Sequence, residues 1–508
     1  MEKQEMSIQF LGIQLSRRPT LWLLIALTLF LLQVLPYLSC RWLPDESWYA
    51  ASAYSLIQDG TLRNLAFGPN DVESRLDARP PGTALAMAAA FKCFEVTPWV
   101  ARIPSVLAGM VIVLLIYLLA RKVFGVDVAI ISVFVAATDN LIVLCSRSAR
   151  PEALATMSVL LTSLAMLIYW RHHKASYAFI AGLAMALATM FHVTVMGWVV
   201  AVPVLIIFLD MCKGRIRIYG VLSFTVAYLL GILPYAIWLL TAPFGVTVFR
   251  RVFLEKEAGW TLQQKILGEF GRYSDFFGFH QLHGNGLEWL PTRLPVPLLI
   301  MLAFMLLWRF RRLWFILGLL LLLPEVLWLA YTPNKNIRYL CLLSPFYALI
   351  VGAAFAATAS QRKLQRVLMW AIIVVVSFQA AANFYLLNSA RRADFPTVAR
   401  HLQAAIPAGE PVYGTITFWM ALPDHPYISY ERTDLFMAAN DDHVQYFITG
   451  DNVMVNGNRY GDDEFYQKLR VSVAELKNVC QAIAKIPDDY YGNLEVCRLV
   501  PGAVLRKP

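Results

Sequence analysis

Apolar stretches of about 20 residues recur along this chain, each long enough to cross the hydrocarbon of a bilayer as a helix, and they leave it few folds to choose from. They fall at about 20–38, 103–120, 128–145, 153–170, 176–191, 194–209, 218–240, 294–308, 313–330, 340–359 and 367–386. Composition agrees. Of the 508 residues, 58% are hydrophobic and only 15% are charged, against about 45–50% and about 25% in soluble domains. A soluble enzyme, a disordered chain and a disulfide-built secreted scaffold are thereby excluded. The expected fold class is an all-α polytopic membrane protein with about 11 transmembrane helices.

The cations sort the connections into two sides. Arg17/Arg18, Arg121/Lys122, Arg171/Lys174, Lys213/Arg215/Arg217, Arg309/Arg311/Arg312 and Arg362/Lys363/Arg366 fall on every second side. Under the positive-inside rule those loops and the N-terminus are cytoplasmic, and the C-terminus is exoplasmic. The net charge of +10 follows from this topology. No basic stripe with interleaved aromatics accompanies it, so no nucleic-acid partner is expected. The seven cysteines show neither a CxxC nor a Cys/His pair at finger spacing. The first apolar stretch lacks an A-x-A cleavage site and is read as an anchor.

The long segments gather on the exoplasmic side, at 39–102, 241–293 and 389–508. Residues 1–388 therefore form the membrane domain, and 389–508 a small exoplasmic α/β domain. Within the first loop, Thr83–Phe94 is apolar but too short to span, which suits an interfacial helix. In the tail, Pro411–Phe418 and His443–Thr449 alternate like strands, while Thr397–Ala405 and Phe465–Ile483 carry a helical period. Cys480 and Cys497 both lie in the tail, where a disulfide or two free thiols are equally compatible with the sequence. No internal repeat and no inverted halves are visible, which argues against a transporter.

Four clusters on that side could carry chemistry. Asp45 and Glu46 open the first loop directly after a span, where carboxylates facing lipid would be costly. One of them is a candidate general base. The same residues also suit the first turn of a helix beginning at Pro44. Arg79, held by Pro80 and Pro81 near the membrane surface, suits bidentate capture of a lipid phosphate, or plain headgroup anchoring. Arg147, Arg150 and Glu152 sit at a span junction on the side that topology leaves poor in arginine. Lys335, Arg338 and Tyr339 follow on the same face. The loop 241–293 offers Arg250, Arg251, Glu255, Lys256, His280 and His283, and its Glu269, Arg272 and Asp275 follow the spacing of an amphipathic helix. His192, between two apolar stretches, reads as a packing or headgroup residue.

These clusters resemble a known family. Asp45-Glu46-Ser47-Trp48-Tyr49-Ala50 with Gly60 resembles the D-E-x-x-Y-A…G opening of the polyprenyl-phosphate-sugar-dependent glycosyltransferases, which include the aminoarabinose–lipid A transferases and the protein O-mannosyltransferases. Arg79-Pro80-Pro81-Gly82 resembles that family's K-P-P-L, and Ala101-Arg102-Ile103-Pro104-Ser105 its R-L-P-S. Ala149-Arg150-Pro151-Glu152 looks like A-R-x-D, and Arg338-Tyr339 with Ser344-Pro345 looks like R-Y-L-L-P…P. Two departures stand out: Arg79 replaces the usual Lys, and Glu152 the usual Asp.

The resemblance implies a GT-C fold and an inverting transfer of a hexosyl or pentosyl group from a polyprenyl-phosphate donor to a hydroxyl on a lipid, glycan or protein. It implies Asp45 as general base, Glu152 orienting acceptor or sugar, and Glu46 as a lesser helper. Arg79 and Arg338 would hold the donor phosphate, with Tyr339, Arg150 and Lys335 beside them. A carboxylate among arginines is a weakened base, so those charges need separating. Asp45, Glu46 and Glu152 could also ligate a divalent cation, though none is expected to be obligatory. The rival readings are a lipid-linked glycan ligase, a flippase or transporter, and a structural membrane subunit. The expected location is a bacterial inner membrane, since no ER-retention ending is present.

Overall fold

The structure, a computed structural model, describes residues 9–10, 13–14, 18–66, 77, 79–211, 214, 218–250, 261–277, 295–307, 324, 337–358, 360–391, 394–430, 444–450, 475–476, 478–488 and 491–501. After a short hairpin, β1 (Gln9–Phe10) and β2 (Ile13–Gln14), the membrane part is helical. Its helices are α1 (Pro19–Val34), α2 (Pro44–Gln58), α3 (Gly82–Cys93), α4 (Pro98–Phe124), α5 (Val126–Thr138), α6 (Asn140–Ser146), α7 (Pro151–His172) and α8 (Ala175–Phe191). They continue as α9 (Met196–Met211), α10 (Ile218–Thr241), α11 (Gly245–Arg250), α12 (Leu262–Phe277), α13 (Pro295–Leu307), α14 (Ser344–Ala357) and α15 (Arg362–Ala390). Among the described residues six helices are long and apolar enough to cross a membrane, or seven if the bent pair α5–α6 is one span. The chain is an integral membrane protein. Of the eleven expected spans, 313–330 lies outside the described residues except for Pro324, and α8 and α14, at 176–191 and 340–359, are apolar but shorter.

Proline marks several helix starts: Pro19, Pro44, Pro98 and Pro151 each take the first helical position, where the missing N–H costs nothing. The expected interfacial helix is α3. The third expected span, 128–145, is broken instead of continuous. Asp139 accepts from the backbone N–H groups of Leu141 and Ile142, both at 3.0 Å, and so caps a new helix at a 60° bend. The carbonyls freed at the break are not left bare. Gln33 Nε2 donates to Ala137 O at 3.1 Å and Asn383 Nδ2 to Thr138 O at 3.0 Å, while the two amides pair with each other at 2.7 Å. The bend swings α6 so that the turn after it, 147–150, meets α2.

The tail contributes α16 (Phe395–Ala405) and a five-stranded sheet. Its strands are β3 (Val412–Gly414), β4 (Tyr427–Ser429), β5 (Tyr446–Gly450), β6 (Cys480–Asp488) and β7 (Gly492–Leu499), in the order β4-β3-β5-β7-β6. β3 runs parallel to both neighbours, and β7 antiparallel to both of its own. The expected helix over Phe465–Ile483 is corrected at its end: residues 480–483 are strand, because pairing of β6 along β7 overrides their local period. Residues 465–474 and 477 lie outside the described residues. Cys480 and Cys497 are not joined to each other by a disulfide. The register explains this, since Cys480 faces Leu499 and Cys497 faces Ala482.

Among the described residues two large hydrophobic cores result, with a small third cluster of Tyr37, Cys40, Leu387 and Ala390. One fills the helical bundle. The other joins the tail to the first long loop, uniting Trp42, Tyr49, Tyr54, Met87 and Phe91 with Phe395, Phe418, Trp419, Phe447 and Tyr491. Polar contacts seal the same joint: Trp42 N donates to Tyr491 Oη at 2.7 Å, and Ser429 N to Ala66 O at 2.7 Å. The described residues of the first long loop and of the tail thus share one core.

Candidate active site

Asp45 and Glu46 occupy the first turn of α2, the helix start expected at Pro44. Consecutive helical residues point about 100° apart, and the two carboxylates have opposite surroundings. Glu46 accepts from Arg102 Nε and Nη2, both at 2.8 Å, from Leu43 N at 3.0 Å and from Ala149 N at 2.8 Å. Both side chains of this pair are 0% exposed. Arg102 donates further to the carbonyls of Tyr37 and Leu38, at 3.0 and 2.9 Å, and to that of Arg41. The rings of Tyr37 and Trp42 cover its guanidinium at 5.0 and 5.1 Å. With its oxygens occupied in this way, Glu46 ties α2, α4 and the 147–150 turn together and has no room for substrate.

Asp45 faces outward, with its side chain 56% exposed. Its carboxylate contacts Arg150 Nη1. Arg150 in turn grips Glu152, with Nη2 at 2.7 Å and Nε at 3.0 Å from Oε1. Arg150 and Glu152 are almost fully buried. A single guanidinium therefore stands between an open carboxylate and a closed one. Proline at the start of α7 fixes the turn that presents them. Desolvation by the surrounding protein opposes charge on the Asp45 carboxyl even though its outer side meets solvent, but Arg150, with Arg338 and Arg79 farther off, outweighs it and holds the carboxyl below the usual carboxylate range. Asp45 is an anion.

Arg79 lies across the same mouth. Its guanidinium is clamped by Asp77, with Nε at 2.6 Å from Oδ1 and Nη2 at 2.8 Å from Oδ2. It stacks over Trp48 and Tyr49 at 4.9 and 4.6 Å, and Ser52 Oγ holds Asp77 from behind at 2.5 Å. Burial pushes the Tyr49 hydroxyl up to about 12, so it keeps its proton. Tyr339 stands in the short helical turn Ile337–Leu342, with the ring of His192 against it at 5.0 Å.

The structure thus brings together Asp45, Arg150, Glu152, Arg79, Arg338 and Tyr339 and turns Glu46 away. Lys335 lies outside the described residues, as do Arg251, Glu255, Lys256, His280 and His283. Arg250 ends α11, and Glu269, Arg272 and Asp275 fall on α12, the amphipathic segment expected there. Asp45, Glu46 and Glu152 do not gather as a ligand set: Arg150 separates the first from the third. Among the described residues no three His, Cys, Asp or Glu side chains converge in a metal-holding arrangement. Sequence reasoning missed two partners, Arg102 as the anchor of Glu46 and Asp77 as the clamp on Arg79. The second had a local signal, a carboxylate two residues before the arginine.

The chain is similar to several known proteins. Residues 78–238 match the family model for dolichyl-phosphate-mannose-protein mannosyltransferase. An uncharacterized protein of Aquifex aeolicus is 28% identical over 150 residues, which spans 29% of this chain and 29% of that protein. Among solved structures, ArnT from Cupriavidus metallidurans bound to undecaprenyl phosphate superposes with a TM-score of 0.61 at 14% identity, covering 95% of this chain and 98% of ArnT. The Archaeoglobus fulgidus oligosaccharyltransferase AglB, in complex with an inhibitory peptide and a dolichol-phosphate, gives 0.55 at 12% identity, covering 86% and 70%. The chain has the GT-C fold of membrane glycosyltransferases.

Proposed function

We propose that this GT-C protein is an inverting glycosyltransferase that moves a hexosyl or pentosyl group from a polyprenyl-phosphate donor to a hydroxyl acceptor, at the exoplasmic face of a bacterial inner membrane. The observation that carries the reading is the ionised, outward-facing Asp45 carboxylate, held by Arg150 at a mouth flanked by Arg79 and Arg338. The undecaprenyl phosphate and dolichol-phosphate bound by the structural neighbours support a lipid-linked donor.

In this reading the acceptor oxygen attacks the anomeric carbon and forms the new glycosidic bond. The bond from that carbon to the phosphate oxygen breaks, and its electron pair leaves with polyprenyl phosphate. Arg79 and Arg338 offset the charge that builds there, a contribution that preplaced cations make strongly in a water-poor site. The acceptor proton passes to Asp45. Because the arginines weaken Asp45 as a base, the transfer comes late, when attack has already made the hydroxyl strongly acidic. Arg150 keeps Asp45 and Glu152 apart and fixed, and Glu152 orients the sugar or the acceptor. No step requires a metal ion.

Mass spectrometry of membrane lipids from cells carrying wild-type protein or Asp45→Asn tests this. A polyprenyl-phosphate sugar that accumulates only with the variant is expected, and its mass names the sugar class. An unchanged lipid pool with normally folded variant would refute the transferase. Release of polyprenyl diphosphate in place of monophosphate would identify a glycan ligase.

A further inference from the structure

His192 follows the last residue of α8 and precedes a short helical turn, Val193–Val195. Its Nδ1 accepts from Thr194 N at 3.2 Å and lies 2.7 Å from the Thr194 hydroxyl. A backbone N–H aimed at Nδ1 leaves the single proton of a neutral imidazole on Nε2. Burial pushes the ring down to about 4; Arg150 and Arg79 push the same way, against Glu152. At physiological pH it is therefore an uncharged Nε2–H donor. Among the described residues no hydrogen bond engages that nitrogen, and the ring is half-buried.

The ring belongs to the same mouth. It packs on Tyr339, and the three charges that reach it most strongly are those of Glu152, Arg150 and Arg79. A tight joint also fixes it relative to Arg79. Gly82 begins α3, and a Cβ there would stand 2.6 Å from Met190 O, so only glycine lets the Arg79-Pro80-Pro81-Gly82 turn seat against the end of α8.

Given the proposed transferase, on which this rests, we infer that His192 is a further substrate-contacting residue, donating from Nε2–H to an uncharged oxygen of the sugar being transferred. The arginines match the charge of the phosphate and need no help from a neutral ring. A directional donor without charge suits a sugar hydroxyl or ring oxygen, beside Glu152, which can only accept. Loss of one such hydrogen bond typically costs up to about tenfold in affinity.

The test compares purified full-length protein in nanodiscs binding undecaprenyl phosphate and undecaprenyl-phosphoryl-mannose. His192→Ala is expected to weaken the mannosylated lipid about tenfold and the bare lipid less than about twofold. His192→Phe, which keeps a ring against Tyr339, should match the Ala variant. His192→Gln, which restores an N–H donor, should recover most of the loss. Equal losses on both lipids, no loss at all, or a wild type that binds the two lipids alike would overturn the role of His192 alone. A wild type that binds neither lipid would overturn the transferase reading beneath it.

Discussion

Two arginine–carboxylate assemblies meet on the first turn of α2, one residue apart in sequence, and they differ in exposure more than in chemistry. Glu46 and Arg102 form a closed knot in which both side chains are fully buried and carbonyls, a helix N-terminus and two rings take up the remaining valences. Asp45, Arg150 and Glu152 form an open array whose outer carboxylate is more than half exposed. Both are ion pairs. The closed one has no acceptor left to offer a ligand, and the open one keeps an anion at the mouth. Motif membership alone therefore does not separate a positioning carboxylate from a reactive one; the neighbours of each oxygen do.

The largest expected effect is on the open side. Asp45→Asn should lower turnover by about 10²–10⁴-fold, the range of a lost general base, while thermal unfolding shifts little because Arg150 keeps Glu152. A variant with turnover within tenfold of wild type would reduce Asp45 to a helix-start residue. On the closed side the signs reverse. Glu46→Gln leaves the Arg102 charge buried without its counterion and should cost about 3–5 kcal/mol of stability, read as a lower unfolding midpoint in detergent. Turnover per folded molecule should stay within about threefold. A stable Glu46→Gln protein that has lost its turnover would break the comparison and return Glu46 to the chemistry. Replacing both partners, Glu46→Gln with Arg102→Met, should recover part of the lost stability, because no buried charge then remains unpaired.

Much of this was legible in the sequence, for a physical reason. A charge beside a membrane span is costly unless something uses it, so Asp45, Arg79, Arg150, Glu152 and Arg338 stand out in the sequence by position. The ambiguity between Asp45 and Glu46 was not resolvable that way. It depends on which way each points around α2 and on Arg102, which comes from another helix. The break at Asp139 was hidden inside an otherwise apolar run, although Thr138-Asp139-Asn140 is a capping sequence in retrospect. The shared core of first loop and tail was illegible, because Trp42 meets Tyr491 across almost the whole chain. Strand β6 shows the limit of periodicity, since pairing with β7 decided its conformation.

Smaller effects should come from the supports of the open array. Asp77→Asn keeps the size of the clamp on Arg79 but removes its charge. With Arg79 still stacked on Trp48 and Tyr49, donor KM should change by about three- to tenfold while kcat holds. A fall in kcat with constant KM would mean that Asp77 acts in the transition state.

The smallest effect expected is on pH, and it distinguishes this site from an ordinary acid–base pair. The Asp45 carboxyl sits below its usual range, so the anion persists as pH falls. His192, down at about 4, stays neutral through the interval where an unperturbed histidine would gain its proton near 6.5. A phosphodiester donor does not titrate there either. Between pH 7.5 and 5, kcat/KM should therefore vary less than about twofold. Stability should behave differently, because the unfolded chain takes up a proton at this histidine below about 6.5 while the folded one does not until about 4. Folding stability is thus lost as pH falls across that window, and His192→Gln should remove that part of the slope. An activity limb with a midpoint between 6 and 7 that vanishes in His192→Gln would show the imidazole ionising in the folded protein, and the neutral donor at the open array would have to be abandoned.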